Sequence, residues 1–112
     1  MLSQIDHVIL ATADFEAASQ VWGERLGFRL TDPGGHAAYG TRNRAVPFPK
    51  GYVELITIVE PEVAARSPLG QALAAAIAGP ERWFGFALAS SDIEADVAAL
   101  RAGGSSATEI MR

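Results

Sequence analysis

The sequence predicts an α+β fold that contains one complete βαβββ unit and the beginning of a second. Three observations predict it. A strand, a helix and three further strands succeed one another over residues 1–60; a helical stretch occupies residues 61–80; and the opening pattern returns over residues 81–112. The length of 112 residues suits a single domain, so we expect one domain with a first unit, a helical connection and a partial second unit at these bounds.

The first strand and helix follow from local pattern. The segment IDHVILAT at residues 5–12 is rich in β-branched residues and apolar on both faces, which is typical of a covered strand. Asp14 is a predicted helix N-cap, and Gly27 a predicted left-handed stop. Between them, apolar residues recur at three- and four-residue intervals and define one helix face: Phe15, Ala18, Trp22 and Leu26.

Three more strands and a helix are expected before the repeat. FRLTD at residues 28–32 predicts a short strand, and PGG after it a turn. GTRNRAVPF and GYVELITIVE predict two strands joined by a short hairpin connection. Ser67 is a predicted cap and Pro68 suits a first helical turn, so a helix is expected as far as Gly79.

The opening pattern recurs with a period of 78 residues. Trp83 aligns with Ile5 and Asp92 with the capping Asp14, without gaps, and Gly103 provides the equivalent stop. Repeats of this kind indicate duplicated supersecondary units. After Gly103 the sequence has room for one strand at most, and an incomplete sheet has an open edge. We therefore expect a homodimer, or a longer protein of which this chain is a portion.

Composition excludes several classes of function. The net charge is −4 and no cluster of lysine or arginine stands out, so nucleic acid is not an expected partner. The absence of cysteine excludes disulfides and thiolate chemistry. No basic leader or apolar run of membrane-spanning length is visible, so we expect a cytoplasmic protein without a membrane partner.

His7, Glu54 and His36 are the candidate catalytic residues. Strand alternation places His7 with Ile5 and Ile9, and Glu54 with Tyr52 and Ile56, so the imidazole and the carboxylate can meet in one pocket. A carboxylate in an apolar wall needs a partner, which can be a metal, a histidine or an arginine. Each residue also has an explanation without a function. Glu54 can lie exposed to solvent on an edge strand, His7 can be a hydrogen-bonded core residue, and His36 can lie in a solvent-exposed turn.

Candidate substrate-binding residues lie on the neighbouring strands. Alternation turns Thr41 and Asn43 inward and Arg42 outward. Asn43 can orient a ligand carbonyl or hydroxyl group, or it can satisfy a neighbouring backbone group. Tyr52 can cover the pocket or simply pack.

The segments DHV, GGH, GT-x-N and GYVELI, in this order, resemble the vicinal oxygen chelate superfamily of glyoxalase I, extradiol dioxygenases and the fosfomycin and bleomycin resistance proteins. More narrowly, they resemble an uncharacterised glyoxalase-like domain family. The resemblance implies that paired units form a U-shaped sheet around a cavity. In metal-dependent members the first and fourth strands of each unit supply the ligands, which here would be His7 and Glu54.

One departure from that pattern bears on the metal. Gly85 occupies the repeat position of His7 and has no side chain to donate. Two ligands hold a divalent metal poorly, since catalytic zinc sites keep three, although His36 can be recruited for zinc, nickel, iron or manganese. The sequence favours a metal-free pocket. The resemblance implies a small-molecule enzyme of isomerase, lyase or dioxygenase type; the alternatives are a non-catalytic sequestering protein of the bleomycin-resistance type and a dimerisation module.

Overall fold

The computed structural model describes residues 1–111, which form one five-stranded mixed sheet with helices against it. The strands are β1 (Leu2–Ala11), β2 (Gly34–His36), β3 (Thr41–Phe48), β4 (Gly51–Ile58) and β5 (Arg82–Ser90), and their spatial order is β2-β3-β4-β1-β5. β1 and β4 are parallel and all other neighbours are antiparallel. The predicted α+β fold and βαβββ order are confirmed.

A 3-10 turn (Ala37–Tyr39) joins β2 to β3, and among residues 1–111 four α-helices connect or follow the strands. They are α1 (Phe15–Gln20), which continues as a wide π turn over Val21–Arg25, α2 (Pro61–Ala64), α3 (Pro68–Ile77) and α4 (Ile93–Ala102). The predicted caps are confirmed, because the side chains of Asp14 and Ser67 accept hydrogen bonds from the third residue of their helices. Among residues 1–111, none of the helices has the length and apolar character that crossing a bilayer requires.

The two strand-to-helix turns that the predicted repeat aligns share their geometry. Asp14 accepts from Ala17 N at 3.0 Å, and its own amide donates to the Thr12 hydroxyl at 3.2 Å. Asp92 likewise accepts from Ala95 N, at 3.1 Å, and donates to the Ser90 hydroxyl, also at 3.1 Å. The strand-to-helix turn is therefore built twice with the same hydrogen bonds. β5 pairs with β1 and lies at the edge of the sheet.

The predicted strand at residues 28–32 is wrong. The second strand is Gly34–His36, where a turn was expected. Residues 28–32 run beside β3 but are joined to it through Thr31, whose amide donates to Ala45 O and whose hydroxyl accepts from Ala45 N, both at 2.9 Å. A side chain that takes a backbone amide competes with the strand ladder. Gly35 can pair closely instead, because a Cβ there would overlap the carbonyl oxygen of Thr41.

The first helix also departs from its predicted face. Phe15 and Ala18 are buried, as the stripe predicts, but Leu26 is 55% exposed. The amide of Leu26 bonds to Val21 O, five residues back, so the π turn adds a residue to the last turn and rotates Leu26 out of the stripe. Gly27 follows with φ +77°, the left-handed stop that was predicted.

The sheet has a different apolar cluster on each face. On one face α1 contributes Phe15 and Ala18 to a cluster with Leu10, Val46, Val53 and Leu55. On the other, α3 places Leu73 and Ala76 against Ala11, with Ile56, Ile58, Ile77 and Phe84 around them. Strand alternation puts His7 and Glu54 on this second face, under α3. The fold thus positions the polar pair in a wall that is otherwise apolar.

Candidate functional site

A cavity of about 230 Å³ lies between the sheet and the start of α3. Its polar lining consists of His7, His36, Thr41 and Glu54, with Tyr39 at one side. The remainder of the lining is Gly70 and the apolar side chains of Ile9, Ile56, Leu69, Leu73 and Phe84. All three predicted catalytic residues and Thr41 therefore line one cavity; their roles stay predictions.

His7 and Glu54 form the polar centre of the cavity wall. β1 and β4 are paired in parallel with Ile9 opposite Glu54, and the Nε2 atom of His7 lies 3.2 Å from Oε2 of Glu54. Glu54 is only 8% exposed. Its other oxygen accepts from Asn43 Nδ2 at 3.1 Å. The buried carboxylate thus has the partners that its surroundings require, and they are a histidine and an amide.

The second ring nitrogen of His7 also faces a carboxylate. Nδ1 lies 2.8 Å from Oδ2 of Asp6, a residue that we had not predicted to belong to the site. Alternation would send Asp6 to the opposite face, but the pairing of β1 with β5 is irregular between Ile5 and His7 and skips Asp6. One imidazole therefore stands between two carboxylates, one half exposed and one buried.

Asn43 and Tyr52 lie beside the cavity, outside its lining. Asn43 holds Glu54, and the ring of Tyr52 stacks on the ring of His7 with centroids 4.4 Å apart and planes 11° apart. Both residues orient the polar pair from the side, and their predicted contact with a substrate stays a prediction. Arg42 faces the other way, as predicted, with its guanidinium 4.8 Å from the centre of the Phe15 ring and 3.6 Å from Glu16.

Burial raises the pKa of the Tyr52 phenol above its ordinary value of 10.0, and the Glu54 and Asp6 carboxylates raise it further. Because the folded protein retains this proton at a pH where the unfolded chain has lost it, the contribution to stability is present below the ordinary pKa and is lost as the pH rises through the folded pKa. In a Tyr39→Phe variant, where Tyr52 is the one remaining tyrosine, absorbance titration of the phenolate is expected to give a midpoint above that of an unfolded control in urea. A midpoint equal to that of the unfolded control would contradict the raised pKa of the Tyr52 phenol.

Thr41 offers an unused hydrogen bond. Its hydroxyl is buried and has no partner among residues 1–111, although the residue lines the cavity. Such a group is costly unless something completes it. His36 lies opposite Thr41 in the pairing of β2 with β3 and is exposed at the rim.

The donor set does not fit a catalytic metal. Among residues 1–111 no three histidine or acidic side chains are grouped as metal ligands. Gly85 contributes no donor, and a Cβ built there meets nothing within 4 Å. The described residues thus bring together fewer donors than the three that a catalytic metal usually keeps.

Comparison with known structures shows where this fold occurs. A methylmalonyl-CoA epimerase from Streptomyces coelicolor, in complex with 2-nitronate-propionyl-CoA, is 23% identical with a TM-score of 0.74, covering 93% of this chain and 72% of that one. The methylmalonyl-CoA epimerase of Mycobacterium tuberculosis is 23% identical with a TM-score of 0.70, covering 92% and 65%. A hypothetical protein from Bacillus halodurans is 16% identical with a TM-score of 0.73, covering 90% and 68%. At these identities the likeness is one of fold.

A search of curated proteins gave no match. The model of the glyoxalase-like domain family matches residues 5–112, which is nearly the whole chain. The order of the strands, the polar pair on the first and fourth strands and this match agree with one another, and the chain belongs to the glyoxalase-like domain family.

Proposed function

We propose that this protein is a small-molecule enzyme of the isomerase or lyase type that removes a proton from a carbon acid with Glu54 and His7. The observation that carries the proposal is the 3.2 Å contact between the buried Glu54 carboxylate and Nε2 of His7 in the wall of a cavity. A carboxylate accepts and an imidazole both accepts and donates, so this pair can take up a proton and return it.

The lining favours a ligand with an apolar body and a polar end. Five apolar side chains surround the space, and the Thr41 hydroxyl lacks a partner among the described residues. A carbonyl compound with an acidic C–H bond beside its carbonyl group fits both features, since the carbonyl oxygen can accept from Thr41 while the adjacent carbon faces the carboxylate. The volume of about 230 Å³ suits a small molecule, or the reactive end of a larger one.

The fold of the epimerases supports the same class of reaction by analogy alone. Their names describe inversion at a carbon of an acyl thioester, which is a proton transfer. We therefore include short branched acyl thioesters among the probes, with 2-oxo acids and 2-hydroxy ketones.

The test is deuterium incorporation. Wild-type protein in D₂O is incubated with each probe, and proton NMR follows the C–H signal beside the carbonyl. We expect at least one probe to exchange this proton faster than in buffer with heat-denatured protein. If every probe bound to the cavity exchanges at the buffer rate, the enzyme proposal is wrong.

Non-catalytic binding is the second candidate. It is favoured by the closed geometry of the pair, in which both nitrogens of His7 face carboxylates, and by Gly85, which adds no reactive group to the wall. A protein of this kind would bind a probe, as seen by thermal shift, and release it unchanged with no deuterium incorporated.

We also propose a homodimer. β5 is an edge strand on which Trp83 and Phe86 are 57% and 62% exposed, and α4 has no buried residue. Apolar side chains beside an unpaired strand edge are suited to a second copy that extends the sheet. Light scattering measures the mass of the purified protein in solution. A mass equal to that of a single chain over the micromolar concentration range would contradict the dimer.

A further inference from the structure

A second space lies beside the cavity, between the start of α3 and the segment that follows α4. Its volume is about 490 Å³, and its walls are Tyr39, residues 67–69, Thr108, Glu109 and Met111. We call this space the α3 groove. Tyr39 and Leu69 also line the cavity that contains Glu54. The cavity and the groove therefore lie side by side, with these two side chains between them.

The outer wall of the α3 groove is fixed at both ends. On α4, the guanidinium of Arg101 donates to the carbonyl oxygens of Ala107 and Thr108, at 3.1 Å and 2.6 Å. At the far end of the same segment, the Tyr39 hydroxyl donates to Met111 Sδ at 2.6 Å. The groove thus has a wall that is bonded to the rest of the fold.

The size of the cavity favours a ligand that continues into the α3 groove. Sites for small molecules usually enclose about 300–1,000 Å³, and the cavity beside Glu54, at about 230 Å³, is below this range. The cavity and the groove together are within it. Leu69, which stands between them, is 45% exposed, so its side chain can turn aside without leaving a packed core.

The walls of the α3 groove favour an uncharged chain. Leu69, Met111 and the ring of Tyr39 present apolar surface. Among residues 1–111 no lysine or arginine lines the groove, and the guanidinium of Arg101 is taken up by two carbonyl oxygens and by Glu109, 3.6 Å away. A phosphate or carboxylate group in the groove would therefore lack the cationic partner that such groups bind.

We propose that the cavity and the α3 groove form one elongated binding site. The cavity takes the polar, reactive end of the ligand, and the groove takes an uncharged, mainly aliphatic chain of the same molecule. The assignment of the reactive end to the cavity rests on the proposed function. The burial of a chain in the groove does not, because it can be measured without any reaction.

The experiment measures the affinity of a series of 1-hydroxyalkan-2-ones by isothermal titration calorimetry. These probes share one polar end and differ in the length of an alkyl chain. From the four-carbon to the ten-carbon probe, we expect each added methylene to tighten binding about 2- to 4-fold, as half to full burial of a CH₂ group does. We call this the methylene factor. A ten-carbon probe that ends in a carboxylate is expected to bind more weakly than the methyl-ended one.

Two substitutions of Thr108 test where the chain lies. Thr108 is exposed and lines the groove but not the cavity, so neither substitution disturbs a packed core. Thr108→Asp places a carboxylate against the chain and is expected to bring the methylene factor close to 1. Thr108→Val has the same size without the charge and is expected to retain the factor of the wild type.

A third variant tests the wall itself. Arg101→Ala removes the hydrogen bonds that hold the segment after α4, and we expect it to lower the methylene factor. Arg25→Ala, at an exposed arginine of the π turn after α1, is the matched control and is expected to retain it. Phe86→Ala removes an exposed aromatic ring of β5 and controls for binding of alkyl chains to apolar surface elsewhere.

Three results would overturn the inference. They are a methylene factor close to 1 in the wild type, a factor that Thr108→Asp and Arg101→Ala leave unchanged or Phe86→Ala abolishes, and a carboxylate-ended probe that binds more tightly than the methyl-ended one. If the factor is as expected while no probe exchanges its proton, the elongated site stands and the proposed function fails. If short probes exchange and the factor is close to 1, the proposed function stands and the elongated site fails.

Discussion

Replacement of Glu54 by glutamine is expected to lower the rate of deuterium incorporation about 100- to 10,000-fold, the range over which a positioned acid or base contributes. Glutamine has nearly the same size but cannot accept a proton from carbon. Glutamine retains an oxygen that can accept from Asn43 Nδ2, and it gains an amide group that can donate to Nε2 of His7. These two nitrogen atoms contact the Glu54 carboxylate in the wild type. The substitution therefore removes the base and retains its neighbours.

Stability separates loss of the base from loss of the fold. We expect urea denaturation of Glu54→Gln to show a folded protein that binds the probe with an affinity close to that of the wild type. Glu62→Gln, at an exposed acidic residue of α2, is the matched control and is expected to exchange at the wild-type rate. A Glu54→Gln protein that retains the wild-type rate would exclude Glu54 as the base.

Gly70→Ala is expected to destabilise the protein by more than about 3 kcal/mol, beyond the usual effect of overpacking. A Cβ at this position would overlap the carbonyl oxygen of Ala64 and lie 2.6 Å from its carbonyl carbon. Both are backbone atoms of the end of α2, so the clash cannot be relieved by a side-chain rotation. α3 would have to move away from α2, and α3 carries Leu73, which is 1% exposed and closes the cavity.

A loss of stability would indicate the backbone clash, since alanine ordinarily stabilises a helix by about 1 kcal/mol relative to glycine. Gly79→Ala is the control: the nearest atom to a Cβ there is Ala76 O at 3.8 Å, an ordinary contact. We expect Gly79→Ala to change the free energy of unfolding in urea by less than about 1 kcal/mol. A Gly70→Ala protein as stable as the wild type would show that α2 and α3 do not pack as closely as described.

Much of the fold was predictable because it follows from local chemistry. Asp14, Ser67 and Asp92 each precede an apolar stripe at the distance of a helix cap, and each caps its helix. Alternation along two strands predicted that the side chains of His7 and Glu54 can face the same pocket, since residues two positions apart in a strand lie on the same face. Their contact needed one thing more, the parallel pairing of β1 with β4.

The features that sequence reasoning missed depend on irregular or distant backbone contacts. Asp6 reaches His7 because the pairing of β1 with β5 skips it, and no pattern in a single sequence indicates such a skip. The second strand lies at Gly34–His36 because Gly35 can approach Thr41 closely while Thr31 bonds through its side chain. α2 lies within the helical stretch predicted for residues 61–80, but the predicted helix began at Ser67, although Pro61 at the first turn of α2 is a signal of a helix start.

The measurement that tests the central claim most directly is the position of a bound probe, mapped by amide chemical shifts in uniformly labelled protein. The probe is the branched acyl thioester, oxo acid or hydroxy ketone that gives the largest thermal shift. We predict that the amide chemical shifts of Ile9, Thr41, Glu54 and Leu73 change together, since these residues line the same cavity. Shifts confined to Trp83, Phe86 and their neighbours on β5, with the cavity residues unchanged, would contradict the account.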